Sequence, residues 1–361
     1  MLPESVKALL PPQLPWMEKG LLYITKTGSQ AYGTALPDSD LDVTGIAQAP
    51  WSYLLGCQNH FDESKPTNEI DCKIYSLQKW AALASDANPN VLELLFTDPN
   101  DWLYTSVYWE AIWLHRHKFL SKRIAKTFAG YAQSQLHRIK THRNWLLNPV
   151  KAPPTREEMG LPAKSLFPKE QLLCAESMCQ KITDKLAGGY SIQKHQQIEV
   201  LPNVAEALGF DTNFIRVLQL EKAYETRVQE FESYQNWAKN RNPKRQELER
   251  KFGYDTKHAM HLVRLLRMGM EGLLNKSLQV KRPDAEELLA IRQGAWTFEQ
   301  LIDWSQEAET EIKNATLRSS LSKEPDRIFI NDLITKVAYR ILSDHNPPFY
   351  PMDSWLPELL Q

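Results

Sequence analysis

Between Ala111 and Arg156 the chain contains no aspartate or glutamate, although acids (44) and lysine plus arginine (43) nearly balance over its 361 residues. The same span holds Arg116, Lys118, Lys122, Arg123, Lys126, Arg138, Lys140, Arg143, Lys151 and Arg156, with His115, His117, His137 and His142. A net charge of -1 excludes a globally basic nucleic-acid binder, so any polyanion surface has to be local. Long apolar runs are missing too, and no uninterrupted stretch reaches membrane-spanning length. The opening Met-Leu-Pro-Glu-Ser lacks a basic region followed by an apolar core, so no secretory leader is expected and the expected location is cytoplasmic. The four cysteines, Cys57, Cys72, Cys174 and Cys179, show neither a CxxC pair nor a histidine-spaced zinc pattern. They read as reduced thiols. Only 14 glycines argue against internal repeats and flexible linkers.

What is present is an ordinary globular composition, 42% hydrophobic and 24% charged, in a chain long enough for two cores. The expected class is α+β. A part built on a small mixed sheet is expected over residues 1–108, and a larger, mainly helical region over 109–361. Leu21 to Thr25 is a β-branched and apolar run that reads as a strand. Gly28-Ser29 ends it and opens a short helical turn whose free backbone N–H groups suit phosphate oxygens. Pro37-Asp38-Ser39 turns the chain back, and Asp40 and Asp42 open a second strand, Leu41 to Ala47. Residues two apart in a strand face the same side. Both carboxylates therefore project together beside the turn, and their mutual repulsion favours a divalent cation between them.

A third strand, Glu69 to Tyr75, offers Asp71 on the face opposite Ile70 and Cys72. Glu69, Glu63 and Asp62 are nearby alternatives, and Asp71 is preferred as the central one. Ser76 is suited to cap a helix carrying Leu77, Trp80, Ala81 and Ala84. Asn88-Pro89-Asn90 then starts the apolar patch Val91 to Phe96, interrupted by Glu93. From about Tyr108 the pattern is helical, with a proline-rich loop over Pro149 to Pro168 and helices over Asn213 to Asn240 and Thr256 to Asn275. A proline-broken tail closes the chain.

These residues resemble the nucleotidyltransferases of the DNA-polymerase-beta superfamily, whose signature is a Gly-Ser turn followed by Asp-x-Asp. Gly28-Ser29 and Asp40-Leu41-Asp42 match it, and Asp71 fits the third carboxylate. The likeness is closer to the RNA-repair-associated branch often encoded beside an RNA ligase. It runs through Ala31-Tyr32-Gly33, Asn88 to Glu93, Gly130 to Leu136 and Gly160-Leu161-Pro162. It continues in Tyr254 to Leu265, Arg282-Pro283-Asp284 and Ile291 to Gly294. The chain departs at Thr44, where relatives are expected to carry a basic residue.

The resemblance implies two Mg²⁺ ions, replaceable by Mn²⁺, held by Asp40, Asp42 and Asp71. Gly28 and Ser29 then hold the triphosphate of an NTP, and an NMP passes to a hydroxyl with release of pyrophosphate. The expected acceptor is an RNA 3′ end, tRNA included, and an RNA ligase is an expected functional partner. Tyr32 either stacks on the nucleotide or packs in the core. Lys257 and Arg264, on one face of the Thr256–Asn275 helix with His261 and Glu271, either close over the triphosphate or form a solvated face. His258 and His261, at i and i+3, read as packing or hydrogen-bonding residues rather than metal ligands. The acid-free segment either balances an acidic neighbour or contacts RNA through Arg123, Lys126, Tyr131, Gln135, Arg138 and Arg143. A protein or small-molecule acceptor, or a non-catalytic RNA-binding role on the same scaffold, stands as the alternative.

Overall fold

Alternation along the first strands sets the architecture. The structure is a computed structural model that describes residues 2–57, 59–64, 70–165, 170, 177 and 212–345. Its sheet has the strand order β3-β4-β2-β1-β5. Here β1 is Leu21–Thr27, β2 Asp42–Ala47, β3 Glu63–Ser64, β4 Asp71–Ser76 and β5 Trp102–Thr105. The pair β2 and β4 runs parallel, while the other neighbours run antiparallel. The small mixed sheet expected from the sequence is therefore present.

Both faces of the sheet are covered, which is why β1 and the inner halves of β2 and β4 are nearly all buried. Val43, Ala47, Cys72 and Ile74 face one core with Ile24 and the N-terminal Leu2, Val6, Leu10 and Met17. Ile46 and Tyr75 face the other and larger core, shared with Trp80, Trp109, Phe128, Leu262 and Leu266. Asp42 and Asp71 lie at period two from Ile46 and Tyr75, so they share the sheet face turned toward the helices.

The helices that bear on the site are numbered in chain order, leaving aside the four-residue helices Glu4–Lys7, Met17–Gly20 and Trp51–Leu54. Gly28–Tyr32 is α1, Leu77–Ser85 is α2, Pro89–Leu92 is α3, Val107–Leu114 is α4 and Arg123–Leu147 is α5. After these come α6, Thr212–Lys239; α7, Pro243–Phe252; α8, Thr256–Asn275; α9, Ala285–Arg292; α10, Phe298–Arg318; and α11, Arg327–His345. Local chemistry starts several of them. Ser76 Oγ accepts from Lys79 N at the head of α2, Asn88 Oδ1 from Asn90 N at α3, and Asp255 Oδ1 from His258 N at α8. Thr297 and Gln300 close a reciprocal capping box on α10.

The described chain separates into two compact units. One takes in residues up to Arg143 and those from Glu247 onward; the other is Asn144–Gln246. The boundary expected at residue 108 falls inside the first unit, because Ile124 and Phe128 of α5 share a core with Leu22 and Trp80. In the second unit Trp145 packs on Tyr234 and Trp237 of α6, and Arg156 pairs bidentately with Glu221. Cys57 and Cys72 are free thiols. Cys174, Cys179, Glu69, the end of the proline-rich loop and the C-terminal tail lie outside the described residues.

Candidate active site

Register brings the first two carboxylates together. In the parallel β2–β4 pair Asp42 stands opposite Asp71, and on its other side Asp42 pairs with Thr27, the residue before Gly28. One strand end thus joins an aspartate, a second aspartate and the Gly-Ser turn. Asp40, exposed, precedes β2 by two residues.

Gly28 adopts φ +61°, and a Cβ there would meet Asp42 Oδ2 at 2.3 Å. Only glycine lets the turn approach the carboxylate this closely in a left-handed conformation. Thr27 provides no side-chain cap to α1, so the first N–H groups of the turn are left for an outside acceptor. Gly33 (φ +72°) ends the turn, and Arg282 N donates to Tyr32 O at 3.1 Å, tying it to the segment before α9.

The electrostatics match the geometry. Partial burial pushes the Asp42 carboxyl above its usual range; the negative charges of Asp71 and then Asp40 add to this, and Lys257 opposes it. Lys257, at the start of α8, therefore acts on the same spot as the aspartates. The three carboxylates do not form a closed cage: among the described residues, the set of metal-ligating side chains within 4.8 Å of one another is a different one. Carboxylate oxygens are the donors that a hard cation such as Mg²⁺ takes.

Two residues expected at the nucleotide have another setting. Tyr32 and Arg264 are each only 4% exposed. The Tyr32 hydroxyl donates to Glu93 Oε1 at 2.6 Å, Arg264 Nη1 lies 3.2 Å from Glu93 Oε2, and the guanidinium covers the Tyr32 ring at 3.7 Å. Burial pushes Glu93 up, and the Arg264 charge pulls it back. The structure puts Arg264 in a buried ion pair rather than on a solvated face. The face that carries it is largely enclosed, because α8 is covered on most sides. Glu93 was not singled out as a site residue. A carboxylate inside an apolar patch was the available signal, since a buried charge requires a partner.

The basic segment divides. Arg123 pairs with Asp86 and Glu324, and Arg143 donates to Gly253 O, pairs with Glu299 and stacks on Phe298. Gln135 contacts His258, and the Tyr131 hydroxyl accepts from Asn88 Nδ2 at 2.8 Å. Lys126 and Arg138 are exposed. A cavity of about 650 Å³ is lined by Lys122, Arg123, Lys126, Tyr131 and Lys323, among others.

Residues 14–149 match the RNA repair pathway DNA polymerase beta family. That stretch contains the whole sheet, the Gly-Ser turn and all three aspartates. The chain is also 31% identical over 119 residues to an uncharacterized 38.9 kDa protein from the nrdC-mobD intergenic region of Enterobacteria phage T4. That alignment covers 30% of this chain and 35% of the phage protein, so the chain spans about a third of the relative's length. No solved structure matches. Among the described residues, no helix is long and apolar enough to cross a membrane.

Proposed function

We propose that the chain is a Mg²⁺-dependent nucleotidyltransferase that moves an NMP from an NTP to the 3′-hydroxyl of an RNA, tRNA included, in repair or end modification. The observation carrying this reading is the junction of Asp42 with Asp71 across β2–β4, against a glycine turn whose N–H groups are uncapped. The family match supports the polymerase-beta-like, RNA-repair side of it.

In this reading Asp40, Asp42 and Asp71 hold two cations, with Mn²⁺ able to substitute. When bound, the cations neutralise charge on the triphosphate and lower the pKa of the attacking hydroxyl. Gly28 N–H and Ser29 orient the β- or γ-phosphate. Asp71, at the exposed start of β4, is the group facing the acceptor and takes part in removing its proton. The hydroxyl oxygen bonds to the α-phosphorus, the bond to the bridging oxygen breaks, and pyrophosphate leaves. Lys257 supplies positive charge near Asp42, which offsets the negative charge that builds on the departing pyrophosphate. Tyr32, Glu93 and Arg264 hold the turn from behind. Lys126, Arg138 and the cavity beside Tyr131 receive the RNA backbone. An RNA ligase acting on the modified end is the expected functional partner.

Each of the four NTPs, labelled at the α-phosphate, would be incubated with the protein, Mg²⁺ and total RNA, and the label followed into RNA, protein and small molecules. Label in RNA is expected. Label in protein or a small molecule would move the chemistry to a different acceptor, and no transfer with any NTP would leave a non-catalytic scaffold.

A further inference from the structure

Away from the aspartates, a second group of buried side chains converges. His142, Asp255 and His258 bring one ligand atom each within 4.8 Å of one another. His142 is near the end of α5, Asp255 caps α8, and His258 lies in the first turn of α8. Asp255 is 1% and His258 5% exposed, while His142 is half-buried. Glu249, 3% exposed, brings Oε1 to 3.8 Å from His142 Nδ1.

The atoms in this group are oriented. His258 Nδ1 lies 2.6 Å from Gln135 Oε1. An amide oxygen only accepts, so Nδ1 carries the hydrogen, and in the neutral ring the electron pair is on Nε2. Nε2 faces Asp255 Oδ2 at 3.5 Å. The other carboxylate oxygen of Asp255 is already engaged, accepting from His258 N at 3.0 Å. A lone pair and a carboxylate oxygen facing each other repel, whereas a cation between them is attracted to both. A histidine whose remote N–H is fixed by an oxygen acceptor is how ligating imidazoles are held.

We propose that His142, Asp255 and His258 form a site for a divalent transition cation of the zinc class, independent of the nucleotidyl-transfer reading. Two imidazoles with one carboxylate suit Zn²⁺ or Co²⁺ and do not suit Mg²⁺ or Ca²⁺, which take oxygen ligands. Such an ion fastens the end of α5 to the first turn of α8. Lys257 lies between two of the ligands in sequence, so the ion also fixes the turn from which Lys257 extends.

The full-length chain, stripped with a chelator, would be titrated with Co²⁺ while the visible spectrum is read, with Zn²⁺ added as competitor. A saturable cobalt spectrum near one equivalent is expected, with displacement by Zn²⁺ and a raised Tm. His142→Ala and His258→Asn should each weaken binding about tenfold or more. Asp42→Asn should keep the zinc-displaceable cobalt spectrum, which separates this site from the aspartates. Should His258→Asn fail to fold, His142→Ala, at the half-buried position, decides alone. No saturable cobalt spectrum, or an affinity unchanged in His142→Ala, overturns the proposal.

Discussion

Gly28 and Asp42 are the smallest units on which the site depends. At Gly28, a Cβ would collide with the Asp42 carboxylate, and a left-handed backbone costs a non-glycine residue about 1–2 kcal/mol. Gly28→Ala should therefore lower Tm by several degrees and reduce NTP binding more than its stability loss accounts for; a melt and an equilibrium titration measure the two effects. Asp42 makes a prediction about pH. Its carboxyl is raised above the ordinary aspartate value, so the folded chain holds this proton more tightly than the unfolded chain does. The resulting destabilisation is absent at pH well below 3.8, grows as pH rises, and is complete above the folded pKa. Without divalent cations, Asp42→Asn should then be more stable than wild type at pH 7, with the gain vanishing in acid. Added Mg²⁺ should raise the Tm of the wild type and leave that of the variant unchanged.

At the scale of elements, the Gly28–Tyr32 turn is tied to α8 by the Tyr32–Glu93–Arg264 cluster. Removing one of its two charged members leaves an uncompensated buried charge, so Arg264→Met should cost about 3–5 kcal/mol, measured by urea unfolding. The double variant Arg264→Met/Glu93→Gln should recover part of that loss, because neither charge is then stranded. Much of this level was legible in the sequence. The strand, turn and strand from Leu21 to Ala47 were marked by β-branched runs and turn residues, and α8 was expected over the residues it occupies, Thr256 to Asn275. The neighbour relation of Asp42 and Asp71 was only inferred, because parallel register depends on how distant segments pack and leaves no local pattern. Arg264 was open to reading as part of a solvated face for a similar reason. A helical wheel shows which residues share a side, but does not show what covers it, and here Glu93 and Tyr32 do. The His142, Asp255 and His258 group was illegible too, since His142 belongs to a basic run far along the chain from its partners.

On the scale of the molecule, an acid-free segment sits in a chain with little net charge. Asp86, Glu324 and Glu299, from other elements, neutralise part of it, so the free polyanion surface is narrower than the sequence suggested. Lys126 and Arg138 remain exposed. Replacing both by glutamate should weaken RNA binding about tenfold or more, reduce the salt dependence of that binding by about two phosphate contacts, and leave NTP binding unchanged. Filter binding at several salt concentrations measures this.

The central claim is that Asp42 and Asp71, meeting across a parallel strand pair, act together in nucleotidyl transfer. It is tested most directly by α-³²P NTP labelling in Mg²⁺ with the wild type, Asp42→Asn and Asp71→Asn, each checked for fold by circular dichroism. The account predicts transfer by the wild type and a loss of about a thousandfold or more in each folded variant. Transfer by either folded variant at the wild-type rate would contradict it.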